Sequence, residues 1–281
     1  MFKRILSSAL IAKLKEETLF KKCLLPDIKN GDIFPAIRNK YIDFYYKGGC
    51  LFRYDGEFRT HIKYASVLDH LKDYISQNEL SKAHHTSNFI EAYSRIKENC
   101  SLYSGIERSS LWYIHKKYSY INNPNIMVLD IEVSFAKETK NEDESKIGRD
   151  QIDLLIFNKK EKTLRFYEAK HFSNSEIWTK EGNEPKVQKQ IDRYNSQIKN
   201  NETEIIEEYS KYIDALNSLF ELYLDKPDKV DKNAVLLIFG FDKDQLQGRL
   251  KNLIIDSLSF KTIKHYSIGN LKGLDIKNMW K

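Results

Sequence analysis

A chain of 281 residues with 41% hydrophobic and 12% aromatic side chains can bury a core, which excludes wholesale disorder and fits one large domain or a core domain with a companion. The charged fraction is 31%, yet 46 basic residues against 40 acidic leave only +6, a balance that tolerates a nucleic-acid partner without demanding one. Cys23, Cys50 and Cys100 are isolated, odd in number and form no C-x-x-C pair, which excludes a disulfide frame and a zinc or iron–sulfur site and fits reduced thiols in the cytoplasm.

The start, MFKRILSSALIAKLKEETLF, joins a basic opening to a short apolar run. Lys13 and Lys15 interrupt that run and no small-residue cleavage site follows, so it predicts an amphipathic helix and not a signal peptide. No apolar run approaches the ~18 residues of a membrane span, and no membrane partner is expected. Residues 1–50 hold ten Lys/Arg and five Asp/Glu, so most of the positive excess lies there.

NGDIFPAIRN predicts a turn leading into YIDFYYKGGCLFRYDGEFRTHIKYASV. In that stretch Lys47-Gly48-Gly49 and Asp55-Gly56 punctuate aromatic and β-branched runs, which predicts two hairpins. Helical spacing returns over 66–100, through Val67, Leu71, Tyr74 and Ile75. The adjacent His84 and His85 have no acidic or cysteine partner nearby in sequence and read as surface residues. Residues 1–100 are therefore expected to be an N-terminal α/β module for recognition, partner binding or oligomerisation.

Residues 101–281 read more clearly. A helix from about Ser104 precedes the strand IMVLDIEVSF, the charged loop KETKNEDESKIG, the strand QIDLLIF, the turn NKKEK and the strand TLRFYEAKHF. A helical zone from about Pro185 to Tyr223 leads to the buried strand NAVLLIFGF, the helix DQLQGRLKNLIIDSL and a last strand, KTIKHYSIG. This order predicts a mixed sheet with helices on its faces. Only 137–148 and 225–232 look like loose charged loops.

Six acid-x-lysine pairs occur in the chain, beginning at Asp27, Glu138, Glu144, Glu168, Glu184 and Asp275. Glu168 and Lys170 are set apart by their surroundings. Alternation on a strand puts them on one side, with Ala169 on the other. The preceding strand carries Asp153 inside Ile152, Leu154, Leu155 and Ile156, and a hairpin turn near 158–162 brings Asp153 and Glu168 to the same end of adjacent strands. A carboxylate in such an apolar run costs several kcal/mol unless paired, so it needs a lysine or a metal as neighbour. Two hard carboxylates and a backbone carbonyl make a half-shell for Mg²⁺, with Lys170 beside it to orient or deprotonate a water or to stabilise developing charge. A structural salt bridge between Asp153 and Lys170 is the alternative.

The segments Gln151-Ile152-Asp153-Leu154-Leu155 and Phe166-Tyr167-Glu168-Ala169-Lys170, spaced as D-x(14)-E-x-K on a hairpin, resemble the PD-(D/E)XK nuclease superfamily. The resemblance is close over about 104–200 and looser beyond, and the proline that often precedes the aspartate is absent. It implies a restriction-endonuclease-like α/β core: a mixed central sheet flanked by helices, here with an N-terminal α/β elaboration. It also implies that Asp153, Glu168 and the carbonyl of Ala169 bind Mg²⁺ or Mn²⁺ while Lys170 assists the water. Members often add a glutamate from the helix before the meander. Glu107 lies on a stripe with Leu111, Ile114 and Tyr118 and is preferred for that place over Glu132 of the first strand. Exonuclease-type members carry Q-x-x-x-Y on the following helix, matched here by Gln190-Ile191-Asp192-Arg193-Tyr194.

Arg149, Lys180, Lys186, Lys189 and Arg193 are candidates to hold a phosphate backbone, although each alone reads as a solvated charge. Asn174, Ser175 and Trp178 follow the third strand, and Trp178 either stacks on a base or fills a core gap. The resemblance implies DNA as substrate and suits a prokaryotic restriction, repair or phage-defence nuclease. The alternatives are a catalytically silent nucleic-acid-binding or scaffold protein of the same fold, and a nuclease subunit activated by a helicase, a sensor or another protein. A homo-oligomer is compatible with each.

Overall fold

The structure is a computed structural model that describes residues 3–66, 73–83, 88–135, 151–178, 184–255 and 260–281. The chain divides into two compact units, one made of 3–124 and 209–225, the other chiefly of 125–208 and 226–281. No described helix is long and apolar enough to cross a membrane.

In the N-terminal unit, α1 (Ser8–Glu16) is capped by Ser7, whose hydroxyl accepts the Leu10 N–H, and it buries Ile11 and Leu14. After α2 (Leu25–Lys29), the strands β1 (Ile33–Ile37), β2 (Ile42–Tyr46), β3 (Gly49–Tyr54) and β4 (Phe58–His61) form an antiparallel sheet. NGDIFPAIRN is thus not only a turn: Ile33–Ile37 is a strand, and it tolerates Pro35 because β1 is the sheet edge. The β2–β3 turn places Lys47 and Gly48 at φ 45° and 87°, which marks a tight hairpin. A Cβ on Gly48 would stand 2.5 Å from that of Arg108, so only glycine fits.

The short helix α3 (Ile62–Ala65) is followed by β5 (Tyr74–Ser76), which pairs with β4. Tyr74 and Ile75 therefore lie in a strand where helical spacing was expected, because pairing with an open sheet edge overrides a local pattern. Val67, Leu71, His84 and His85 lie outside the described residues. The helices α4 (Gln77–Ala83), α5 (Phe89–Leu102) and α6 (Ile106–Tyr118) complete this part. The expected boundary at 100 shifts to 124/125, because α6 and the segment after it are tied to the first sheet. Trp112 donates its indole N–H to the Asp32 carbonyl at 2.9 Å, and the Tyr120 hydroxyl donates to the Pro35 carbonyl at 2.6 Å.

The C-terminal unit opens with an antiparallel meander of β6 (Ile126–Ser134), β7 (Gln151–Asn158) and β8 (Thr163–His171). The helical zone is two helices, α7 (Lys186–Asn200) and α8 (Glu202–Phe220), broken at Asn201; α7 belongs to this unit, whereas α8 from Tyr209 onward belongs to the N-terminal unit. Within 225–232, expected as a loose loop, β9 (Lys229–Val230) pairs parallel to the start of β8. The strand β10 (Val235–Phe239) then returns parallel to β8. The helix expected after it is irregular: α9 (Lys243–Gln245) runs into a wider helical turn, Leu246–Ile255, where Gly248 leaves helical geometry. The strand β11 (His265–Ile268) pairs parallel to β10, and α10 (Ile276–Trp280) ends the fold. The result is a mixed sheet of order β11-β10-β8-β7-β6, an α/β arrangement as expected from the element order.

Alternation along β8 decides what each face carries. Phe166, Glu168 and Lys170 share one face. Arg165 and Tyr167 share the other, where they fasten the C-terminal segment. The Arg165 guanidinium pairs with Asp231 at 2.8 Å, lies 4.1 Å from the centre of the Trp280 ring, and donates to the Trp280 carbonyl. Tyr167 donates to the Met279 carbonyl at 3.0 Å. Arg165 is buried, so removing it takes away the donor to the Trp280 carbonyl and leaves the more exposed Lys264 as the cation beside Asp231. Arg165→Ala is expected to lower the unfolding free energy by about 3 kcal/mol in urea titration. Lys264→Ala, which removes a more exposed contact to the same Asp231 at 3.6 Å, should change it little.

Candidate active site

The registered pairing of β7 with β8 ends at Leu154↔Tyr167, while on the opposite edge of β8 the pairing with β10 begins at Tyr167 and runs to His171. One residue past that last pair, Asp153 and Glu168 would face each other on the side of the sheet that carries Lys170. The Ala169 N–H, which the ladder to β7 no longer reaches, is taken by the Asp153 carboxylate: Oδ2 accepts it at 2.7 Å. The fork between the strands is what brings the two carboxylates together.

Glu168 is buried and its two oxygens differ. Oε1 accepts from Lys170 Nζ at 2.9 Å and from Gln190 Nε2 at 2.9 Å. Oε2 is buried with no hydrogen-bond partner among the described residues. A buried carboxylate oxygen left unpaired needs an explanation, and its chemistry is that of a ligand for a hard cation. Gln190 also donates from the same nitrogen to the Tyr194 hydroxyl at 2.8 Å, and that hydroxyl donates to the Gln151 carbonyl at 2.7 Å. Spacing of four residues on α7 places Gln190 and Tyr194 on the same side, with Val187, Ile191, Tyr194 and Ile198 buried. Tyr194 packs its ring against Phe135, which also meets Phe166 of β8.

Lys170 does not bridge to Asp153. Its Nζ lies 2.9 Å from Glu168 and 2.6 Å from Glu176. Burial alone would lower its pKa, but the two carboxylates outweigh that and hold it above the ordinary lysine range as an ammonium. Asp153 is pushed well above the ordinary carboxylate range, chiefly by burial and then by the charges of Glu168 and Glu132. Glu168 is raised from the ordinary 4.5 to about 7 by burial, against the opposing pull of Lys170. Two carboxylates this close do not ionise together at little cost, and a cation between them would relieve both.

Of the two acidic residues weighed for a third place, Glu132 is the one whose charge reaches Asp153. It falls between the pairs Ile131↔Leu154 and Val133↔Ile152, opposite Asp153, and takes a left-handed φ of 51°. Glu107 is half-exposed in the first turn of α6, in the N-terminal unit. Among the described residues, no group of three or more His, Cys, Asp and Glu side chains is gathered to hold a metal. The Asp153–Glu168 pair is a smaller donor set that suits Mg²⁺, which binds through one or two carboxylates and keeps several waters.

Lys186, Lys189 and Arg193 are exposed on α7, beside the face that carries Gln190. Trp178 is half-buried. Its indole N–H donates to the Phe172 carbonyl at 2.8 Å, and the Arg249 guanidinium sits 4.1 Å from its ring centre, so the ring is engaged within the unit. Arg149 and Lys180 lie outside the described residues. Sequence reasoning missed Glu176, which no spacing rule marks, and the Gln151 carbonyl, which only strand pairing brings to Tyr194. Comparison with protein-family models, curated proteins and solved structures yields no match.

A carboxyl raised by folding binds protons more tightly in the native state, so stability falls as pH rises from the unfolded to the folded pKa. For Glu168 that window runs from 4.5 to about 7. In chelator, wild-type melting temperature should fall across this window. Asp153→Asn, which keeps an acceptor for the Ala169 N–H but carries no charge, should flatten the fall and melt above wild type near pH 8. Equal pH dependence in the two proteins would show that the carboxyls are not coupled as described.

Proposed function

We propose that the chain is a metal-dependent nuclease of the PD-(D/E)XK type, with a restriction-endonuclease-like core, that hydrolyses phosphodiester bonds of DNA. One observation carries this reading: Asp153, Glu168 and Lys170 converge at the strand fork and leave Glu168 Oε2 buried and unpaired. The antiparallel meander followed by helices and a parallel strand agrees with the core that the sequence motif implies. Mg²⁺ or Mn²⁺, held by Asp153, Glu168 and the Ala169 carbonyl, would neutralise phosphate charge and acidify a bound water.

The chain's own residues have separable roles in this reading. Gln190 fixes the rotation of Glu168 by donating to Oε1, which keeps Oε2 turned toward the site. Tyr194 fixes Gln190 in turn and ties it to β7. Lys170, as an ammonium, would offset the negative charge that develops on the phosphoryl oxygens rather than act as a base for the water. Lys186, Lys189 and Arg193 offer charge to the DNA backbone along α7. The N-terminal unit is assigned to recognition, to self-association, or to docking a helicase, sensor or other subunit, in a restriction, repair or defence setting.

Plasmid cleavage tests this. Wild type should cut with Mg²⁺ or Mn²⁺ and not in chelator, and Lys170→Ala or Asp153→Asn should lower the rate by about 10²–10⁴-fold. Tyr194→Phe, which keeps the ring but loses the bond to Gln151, should lower it by roughly tenfold. Wild type that binds DNA and never cuts it, with either metal and with products of neighbouring genes added, would favour the non-cleaving scaffold. Independently of turnover, Mn²⁺ should raise the wild-type melting temperature and leave that of Glu168→Gln unmoved.

A further inference from the structure

We propose that Glu176 is the positioning residue for Lys170: its carboxylate pins the lysine head in the place from which it acts. The proposal rests on the nuclease reading of the same site.

The Lys170 side chain is only 9% exposed and among the described residues its Nζ has two carboxylate partners, of which Glu176 at 2.6 Å is nearer than Glu168 at 2.9 Å. Glu168 Oε1 is shared with the Gln190 amide, and in the nuclease reading the same carboxylate also serves the cation. A cation on Glu168 would draw that charge away from Lys170 and repel the ammonium. Glu176 has no such second duty. Among the described residues it is the carboxylate partner whose hold on Lys170 would not weaken if the site were loaded.

The segment around Glu176 is built to place that carboxylate. Ser175–Ile177 is a single 3₁₀ turn separated from the end of β8 by three residues and capped by Asn174, whose side-chain oxygen accepts the Glu176 N–H at 2.9 Å. Ile177 next to it is buried, and the turn packs against α7. Trp178 closes the turn by donating its indole N–H to the Phe172 carbonyl at 2.8 Å, so the chain is tied down on both sides of Glu176. An exposed acid paired to an exposed lysine would have no such frame. Here the Glu176 side chain is itself 42% exposed, but the lysine is buried and the acid reaches it from a capped, anchored turn.

The test is Glu176→Gln, with Glu176→Ala as a second variant, in the full chain and with melting temperature as a folding control. Two measurements are made on each protein. The first is steady-state DNA cleavage with Mg²⁺: kcat should fall roughly 10–100-fold while KM stays near wild type, because only the placement of Lys170 is disturbed. The second needs no turnover: acetylation of Lys170 by an N-hydroxysuccinimide ester, followed by peptide mass spectrometry, should speed up several-fold, with Lys186 as an unchanged reference. Unchanged kcat in a variant of active wild type overturns the role of Glu176 and leaves the nuclease reading standing. Unchanged labelling overturns the pinning itself. An inactive wild type overturns the nuclease reading and, with it, the positioning role, whatever the labelling shows.

Discussion

Two carboxylates facing each other across parting strands are the constraint around which the C-terminal unit is arranged. Strands that stay paired have no space between them, and a ladder bond would have claimed the Ala169 N–H. Because the registered pairing with β7 stops at Tyr167, while β10 holds the opposite edge of β8, the Ala169 amide goes to Asp153. Placing these charges near one another in a buried setting is unfavourable, and the surrounding contacts compensate. Lys170 and Gln190 share Oε1 of Glu168, the Ala169 amide satisfies Oδ2 of Asp153, and Oε2 of Glu168 is left over among the described residues. The cost shows as carboxyls held above their ordinary range, at Asp153 and at Glu168.

The two faces of β8 divide the labour. One face holds the acidic and basic groups under α7. The other is fixed by Arg165 and Tyr167 to the carbonyls of Met279 and Trp280. A strand held so firmly from behind gives its front residues little freedom, and the positions of Glu168 and Lys170 are set by the sheet and not by a loop. The turn that follows, with Glu176, extends this rigidity for a few residues beyond the strand end.

Much of this arrangement was legible in the sequence because it follows from two periods. The period of two on β8 puts Glu168 and Lys170 together, and the helical period on α7 puts Gln190 beside Tyr194. The hairpin turn near 158–162 then fixes which acid meets Glu168. What the sequence hid depends on departures from those periods. The bulge of β6 near Leu129 and the left-handed backbone of Glu132 determine what stands opposite Asp153, and neither is written in a local pattern. Pro35 inside a strand is legible only once β1 is known to be an edge. Likewise β5 exists because β4 offered it an edge, and the ends of the two units depend on packing of α6 that no composition shift announces.

The parallel pairing of β8 with β10 also bears on how the molecule reaches its native state. Leu154 and Tyr167 meet across a short turn, whereas Tyr167 and Val235 are brought together only after two helices have been laid between them. Loop-closure entropy grows with that separation, and long-range strand pairing is correspondingly slow. The acidic pair is therefore assembled by a local event, while the helix bearing Gln190 and the partner strand arrive by a distant one. In the interval the open side of β8 is an apolar edge with unpaired amides, the kind of surface through which chains associate wrongly. Yield of soluble protein is thus tied to the speed with which β10 closes that edge.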